Sequence, residues 1–186
     1  MKKQVMTIAF DNITMEEAVG TAMGYIAARS RCRVVTPNAE FALEAKKNPR
    51  FLHILNTSQL VLADGISVVL ASKIIGDPMQ GRVTGVGFAQ ELAAAMAKEG
   101  KSLFLLGAKP GVAELAAVNI SKDYPNLTVC GIHDGYFKDD TPVVQAVKEN
   151  GVKLVGLSAL MTTTVPSMEE TIPPTISNVN SPSSLR

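Results

Sequence analysis

The chain has 186 residues, 46% hydrophobic and 19% charged, enough apolar material to bury a sizeable core. Eighteen Lys and Arg against seventeen Asp and Glu leave a net charge of +1, so electrostatics gives no reason to expect nucleic acid as a partner. Two distant cysteines, Cys32 and Cys130, and two histidines, His53 and His133, argue against a disulfide and against a structural metal site. Both thiols read as buried on strands. Met1-Lys2-Lys3-Gln4-Val5 lacks the apolar core of a signal peptide, and no apolar run approaches the ~20 residues that cross a bilayer. A soluble, cytoplasmic protein is expected, with peripheral membrane contact left open.

Val5 to Phe10 reads as a first strand. Thr14-Met15-Glu16-Glu17 has the form of a capping box, and Met15, Ala18, Val19, Ala22, Met23 and Ile26 follow at helical spacing. Arg33 to Thr36 reads as a strand and Asn38 to Lys47 as a helix. Leu60 to Ala63 is an apolar strand running into Asp64-Gly65, followed by a helix to about Ile75. A loop with Gly76, Pro78 and Gly81 leads to Arg82-Val83-Thr84-Gly85. Phe88, Leu92 and Met96 mark the next helix, which Gly100 ends.

Ser102 to Leu106 is a strand, Gly107 to Gly111 a turn, and a helix then runs to about Asp123. Leu127 to Ile132 and Lys153 to Ser158 are further strands, with a helix from Thr141 to Asn150 between them. Strands alternating with helices predict an α/β fold: a mostly parallel, Rossmann-like sheet with helices on both faces. The expected organisation is one domain over residues 1–158 and a helix of uncertain origin over 159–172. The Ser-, Pro- and Asn-rich residues 173–186 are expected to be disordered.

In such sheets ligands bind at the carboxyl ends of strands. Thr36-Pro37-Asn38 sits at one of them; it serves either as a turn with a helix cap or as a pair of polar groups facing a ligand. Asp64 follows a buried strand, where it either caps the next helix or acts as a general base. In Gly81-Arg82-Val83-Thr84-Gly85 an arginine between glycines suits a diphosphate, although a solvated loop arginine is commoner. Gly107-Ala108-Lys109-Pro110-Gly111 could turn backbone N–H groups toward phosphate, but it is neither a Walker loop nor a full GxGxxG. Tyr136 and Phe137, after His133-Asp134-Gly135, suit stacking on a base or sugar, or plain packing.

Taken in order, Phe10-Asp11-Asn12-Ile13-Thr14-Met15-Glu16-Glu17-Ala18, Thr36-Pro37-Asn38-Ala39-Glu40, Ala63-Asp64-Gly65, Gly81-Arg82-Val83-Thr84-Gly85, Leu105-Leu106-Gly107-Ala108 and Gly135-Tyr136-Phe137 resemble the WecG/TagA/CpsF glycosyltransferase family over residues 4 to 153. The resemblance implies inverting transfer of N-acetylmannosamine, or a related sugar, from a UDP-sugar to polyprenyl-diphosphate-linked N-acetylglucosamine, in teichoic-acid or surface-polysaccharide synthesis at the cytoplasmic membrane face. It implies Asp64 as general base, Thr36, Asn38, Arg82 and Thr84 at the substrate, and Gly107, Ala108, Tyr136 and Phe137 at the nucleotide-sugar. Neither cofactor nor metal is implied, and homo-oligomerisation is compatible with it.

After Lys153 the chain departs from the family, lacking its Gly-x-Pro-Lys-Gln-Glu segment and its basic, membrane-facing end. Impaired transfer and weakened membrane contact are therefore expected. Residues 154–172 instead resemble one strand and helix of corrinoid (cobalamin)-binding domains, without the Asp-x-His-x-x-Gly motif that ligates cobalt. A corrinoid-binding module and a non-catalytic glycosyltransferase-like domain are the alternatives.

Overall fold

The structure is a computed structural model that describes residues 1–135, 139 and 141–150 and the backbone of 154–158. They fall in two compact units, Met1–Ala28 with Cys32–Leu92, and Arg29–Arg31 with the described residues from Ala93 onward.

The first unit opens with β1 (Lys2–Val5) and β2 (Ile8–Asp11), paired antiparallel with Val5 opposite Ile8. The single strand expected over Val5 to Phe10 is thus a hairpin. The chain reverses at Met6, which adopts a left-handed φ of 55°. No Gly, Asn or Asp marks that turn, so the sequence reads through it as a continuous strand.

Helix α1 (Met15–Ala27) starts with the expected capping box: the Glu17 N–H donates to Thr14 Oγ1 at 3.2 Å and the Thr14 N–H to Glu17 Oε2 at 2.8 Å. Next come β3 (Val34–Val35) and α2 (Ala39–Lys47). Between Lys47 and Leu60, where the sequence suggested no element, lies α3 (Pro49–Asn56). Its start is chemically explicit: Asn48 Oδ1 accepts from the Phe51 N–H at 3.1 Å, with Pro49 in the first turn. Phe51 and Leu55 fill the core from this helix, beside Ile8, Phe10 and Val61.

Strand β4 (Leu60–Val61) runs parallel to β3, with Val34 opposite Leu60 and Val35 opposite Val61. Pairing continues past the formal strand: the Leu62 N–H donates to Val35 O at 2.8 Å and the Asp64 N–H to Pro37 O at 3.4 Å. Helix α4 (Ile66–Ile74) follows, and α5 (Gly85–Lys98) crosses the boundary between the units. Buried Ser72 fastens the loop after α4, donating to Val69 O at 2.7 Å and accepting from the Met79 N–H at 3.0 Å.

In the second unit β5 (Ser102–Gly107) lies between β6 (Thr128–His133) and β7 (Leu154–Ser158), parallel to both. Helices α6 (Val112–Asp123) and α7 (Thr141–Glu149) complete it. Phe104 and Leu106 pack with Val143 and Val147 in its core. The β5–β6 register slips between Leu103 and Phe104, leaving Phe104 opposite Gly131, where an added Cβ would run into the Phe104 ring. Only glycine fits that position.

The fold is α/β, and among the described residues the pairings are parallel except in the first hairpin. No helix of the described residues is long and apolar enough to cross a membrane. Cys130 lies on β6, but Cys32 precedes β3 rather than lying in a strand, and both are only partly buried. Burial pushes the Cys32 thiol up from 9.0 to about 11. The helix expected over 159–172 and the disorder expected over 173–186 lie outside the described residues.

Ser72→Ala should lower stability by about 1–3 kcal/mol, because it leaves the Met79 N–H without its acceptor in a buried setting. The urea midpoint followed by circular dichroism checks this; an unchanged midpoint would show that the bond is dispensable.

Candidate functional site

Parallel strands in register end on the same rim. Thr36 follows β3 and Asp64 follows the extension of β4, so both residues leave the sheet at its carboxyl end. The segment Arg82-Val83-Thr84 comes alongside, the Val83 N–H donating to Ala63 O at 3.0 Å. Gly85 measures how closely they converge: a Cβ there would lie 2.9 Å from Thr36 Oγ1 and 3.4 Å from Asp64 Oδ2. The Thr36 hydroxyl and the Asp64 carboxylate therefore border one small space that glycine keeps open. Asn38 adjoins it through Gly65, where an added Cβ would stand 3.4 Å from Asn38 Cβ.

The polar groups of this rim divide by what they bind. Asn38 Oδ1 caps α2, accepting from the Glu40 and Phe41 N–H groups at 3.0 and 3.1 Å. Thr84 Oγ1 accepts from the Gly87 N–H at 3.1 Å in the first turn of α5. Asp64 caps nothing. The N-cap of α4 is Gly65, without a side-chain bond, and among the described residues the half-buried Asp64 carboxylate has no hydrogen bond or ion pair. Of the two uses open to Asp64 in the sequence, helix cap or reactive carboxylate, the cap is removed. The Thr36 hydroxyl and the exposed Arg82 guanidinium likewise have no partner among the described residues.

Gly107 and Ala108 belong to the second unit. They take consecutive positive φ values of 120° and 64° as β5 ends, and Gly111 at 86° starts α6. Ala108 is strained, because a side chain in the left-handed region crowds the backbone. The turn is held by the Gly135 N–H donating to Ala108 O at 3.0 Å, and an added Cβ on Gly135 would stand 3.2 Å from Gly107 Cα. Tyr136 and Phe137 lie outside the described residues.

The order of strand ends, the convergence on Gly85 and the double-positive turn after β5 invite comparison with known proteins. The model of the glycosyl transferase WecG/TagA/CpsF family matches residues 3–166. The chain belongs to that family. Its match continues past residue 153 into the stretch that departs from the quoted motifs.

Relatives in Bacillus spizizenii and Bacillus subtilis are each 34% identical, over 114 residues (61% of this chain, 44% of the relative) and 123 residues (66% and 48%). A Staphylococcus aureus relative is 30% identical over 150 residues, 79% of this chain and 59% of its own length. All three are named N-acetylglucosaminyldiphosphoundecaprenol N-acetyl-beta-D-mannosaminyltransferase. The matched stretch spans about half the length of these relatives.

Sequence reasoning passed over Gly85 as a site residue. Its signal was present, a glycine directly after Thr84 at a helix start, but its role appears only once Thr36 and Asp64 are placed beside it. Gly85→Ala should cost about 1–3 kcal/mol through overpacking. Gly24→Ala in α1, where nothing lies within 4 Å of the added Cβ, should instead stabilise by about 0.5–1 kcal/mol. Paired thermal melts check the contrast, and equal effects would contradict the crowding at Gly85.

Proposed function

We propose that this chain is a hexosyltransferase of the family's type. It passes N-acetylmannosamine, or a related sugar, from a UDP-sugar to a hydroxyl of N-acetylglucosamine linked through diphosphate to a polyprenol, with inversion at the anomeric carbon. The donor and the stereochemistry come from the family resemblance, and the acceptor class from the relatives' names. The observation that carries the reading is the Asp64 carboxylate: half-buried, without a capping duty, and beside the Thr36 hydroxyl at a strand end.

In this scheme the acceptor oxygen attacks the anomeric carbon while Asp64 takes its proton. The bond from that carbon to the UDP oxygen breaks, and UDP leaves with the bonding pair. Thr36 and the Asn38 amide group orient the acceptor. Thr84 contributes by fixing the start of α5 beside them. Arg82 stabilises diphosphate charge, since its guanidinium stays protonated and offers paired donors. The family resemblance assigns Gly107, Ala108, Tyr136 and Phe137 to the nucleotide-sugar, and the turn at Gly107 and Ala108 is of a kind that offers backbone N–H groups to phosphate. In this reading the acceptor's lipid brings the chain to a membrane surface, and the family resemblance implies the inner face of the cell membrane with peripheral binding.

The test is UDP release from UDP-N-acetylmannosamine with a soluble polyprenyl-diphosphate-N-acetylglucosamine analogue. Asp64→Asn should lower kcat by about 10²–10⁴-fold while leaving UDP-sugar affinity near that of the wild type, because it removes a proton acceptor and little volume. An Asp64→Asn protein that turns over like the wild type would overturn the assignment of the base. Absence of UDP-sugar binding by the wild-type chain would overturn the function.

A further inference from the structure

The two segments that carry Asp64 and Arg82 are each held by a side chain from the end of β2, and these side chains are neighbours in sequence. Along β4 and its extension, the Leu60, Leu62 and Asp64 N–H groups donate toward the β3 side, to Arg33 O, Val35 O and Pro37 O. The intervening Val61 N–H faces the opposite edge. There it donates to Asp11 Oδ2 at 2.9 Å, so a carboxylate serves where a neighbouring strand would supply a carbonyl. Val61 is fully buried, and no water competes for that N–H. Asn12 Oδ1 accepts from the Gln80 N–H at 2.7 Å, two residues before Arg82.

The rest of the hairpin braces the same contacts. Lys2 Nζ lies 3.5 Å from Asp11 Oδ2, Lys3 Nζ donates to Asp77 Oδ1 and Pro78 O at 2.6 Å each, and the Asn12 N–H donates to Met1 O at 3.2 Å.

We propose that Asp11 and Asn12 are positioning residues of the transfer site. Asp11 sets the height of the strand that delivers Asp64 three residues later, and Asn12 sets the loop that delivers Arg82. Because the two acceptors sit on consecutive residues of one strand end, the spacing between carboxylate and guanidinium is fixed by a rigid element rather than by the loop itself. This inference rests on the roles given above to Asp64 and Arg82.

The experiment compares acceptor-removing with acceptor-keeping variants of the full chain. Asp11→Asn and Asn12→Asp each keep an oxygen that can accept the same N–H, and both should stay within about threefold of wild type in kcat and KM. Asp11→Ala should lower kcat by about tenfold or more with little change in the donor KM. Asn12→Ala, at a solvent-exposed bond, should raise the donor KM by about tenfold with little change in kcat. Asp11→Asn as impaired as Asp11→Ala would overturn the acceptor role, and so would an Asn12→Ala protein with wild-type kinetics.

Amide exchange separates this inference from the proposed reaction. Asp11→Ala should speed exchange at Val61 and Asp64, Asn12→Ala at Gln80, and the acceptor-keeping variants should restore both. Exchange rates that do not respond would overturn the inference whatever the chain catalyses. Restored exchange in a chain that shows no transfer would remove the proposed reaction and leave the clamp standing.

Discussion

The parallel registration of β3 with β4 is the constraint on which the candidate site depends. Val35 opposite Val61 places Pro37 opposite Ala63, and the bond from the Asp64 N–H to Pro37 O carries that register to the rim. A slip of one residue would turn Asp64 to the other face of the sheet and replace it at that point by a neighbour without its chemistry. The pair is only two residues long by formal pairing, so its register needs help from outside. Buried Val61, Leu62 and Ala63 supply it from the core, and the Asp11 carboxylate supplies it from the edge opposite β3.

Much of this was legible in the sequence, for reasons that differ from element to element. The capping box at Thr14 is a local exchange of two hydrogen bonds between residues three apart, and the sequence contains both partners. Asp64-Gly65 was legible as a strand end, but local context could not separate helix cap from base. The cap is removed by where the N-cap falls, which is a backbone property at Gly65. The first hairpin was hidden because Met6 turns in a left-handed conformation with no glycine to announce it. Helix α3 had its signal in Asn48-Pro49, a cap followed by a proline, but eight residues are too few to show a clear helical period. Gly85, Asp11 and Asn12 gain their meaning only from long-range contacts, which no local window contains.

The second unit carries a different kind of preparation. Ala108 holds a positive φ that costs energy in any L-residue with a side chain, and the Gly135 N–H and the missing side chain of Gly135 let the turn close on it. Strain retained at a strand end, in a chain of a sugar-transferring family, fits a turn shaped to present its backbone to a ligand. The rim of the first unit instead keeps three side chains, Thr36, Asp64 and Arg82, without partners among the described residues. The two units thus differ at their strand ends, one in strained backbone shape and the other in polar groups unpaired among the described residues.

The role proposed for Asp64 depends on where the acceptor hydroxyl sits. A crystal structure of the chain with a short-chain diphosphate-linked N-acetylglucosamine analogue measures that directly. A sugar hydroxyl is expected within hydrogen-bond reach of the Asp64 carboxylate, about 2.6–3.2 Å, with the Thr36 hydroxyl on the same sugar. A bound sugar whose hydroxyls all lie beyond reach of Asp64, with the carboxylate facing solvent or a protein N–H, would contradict it.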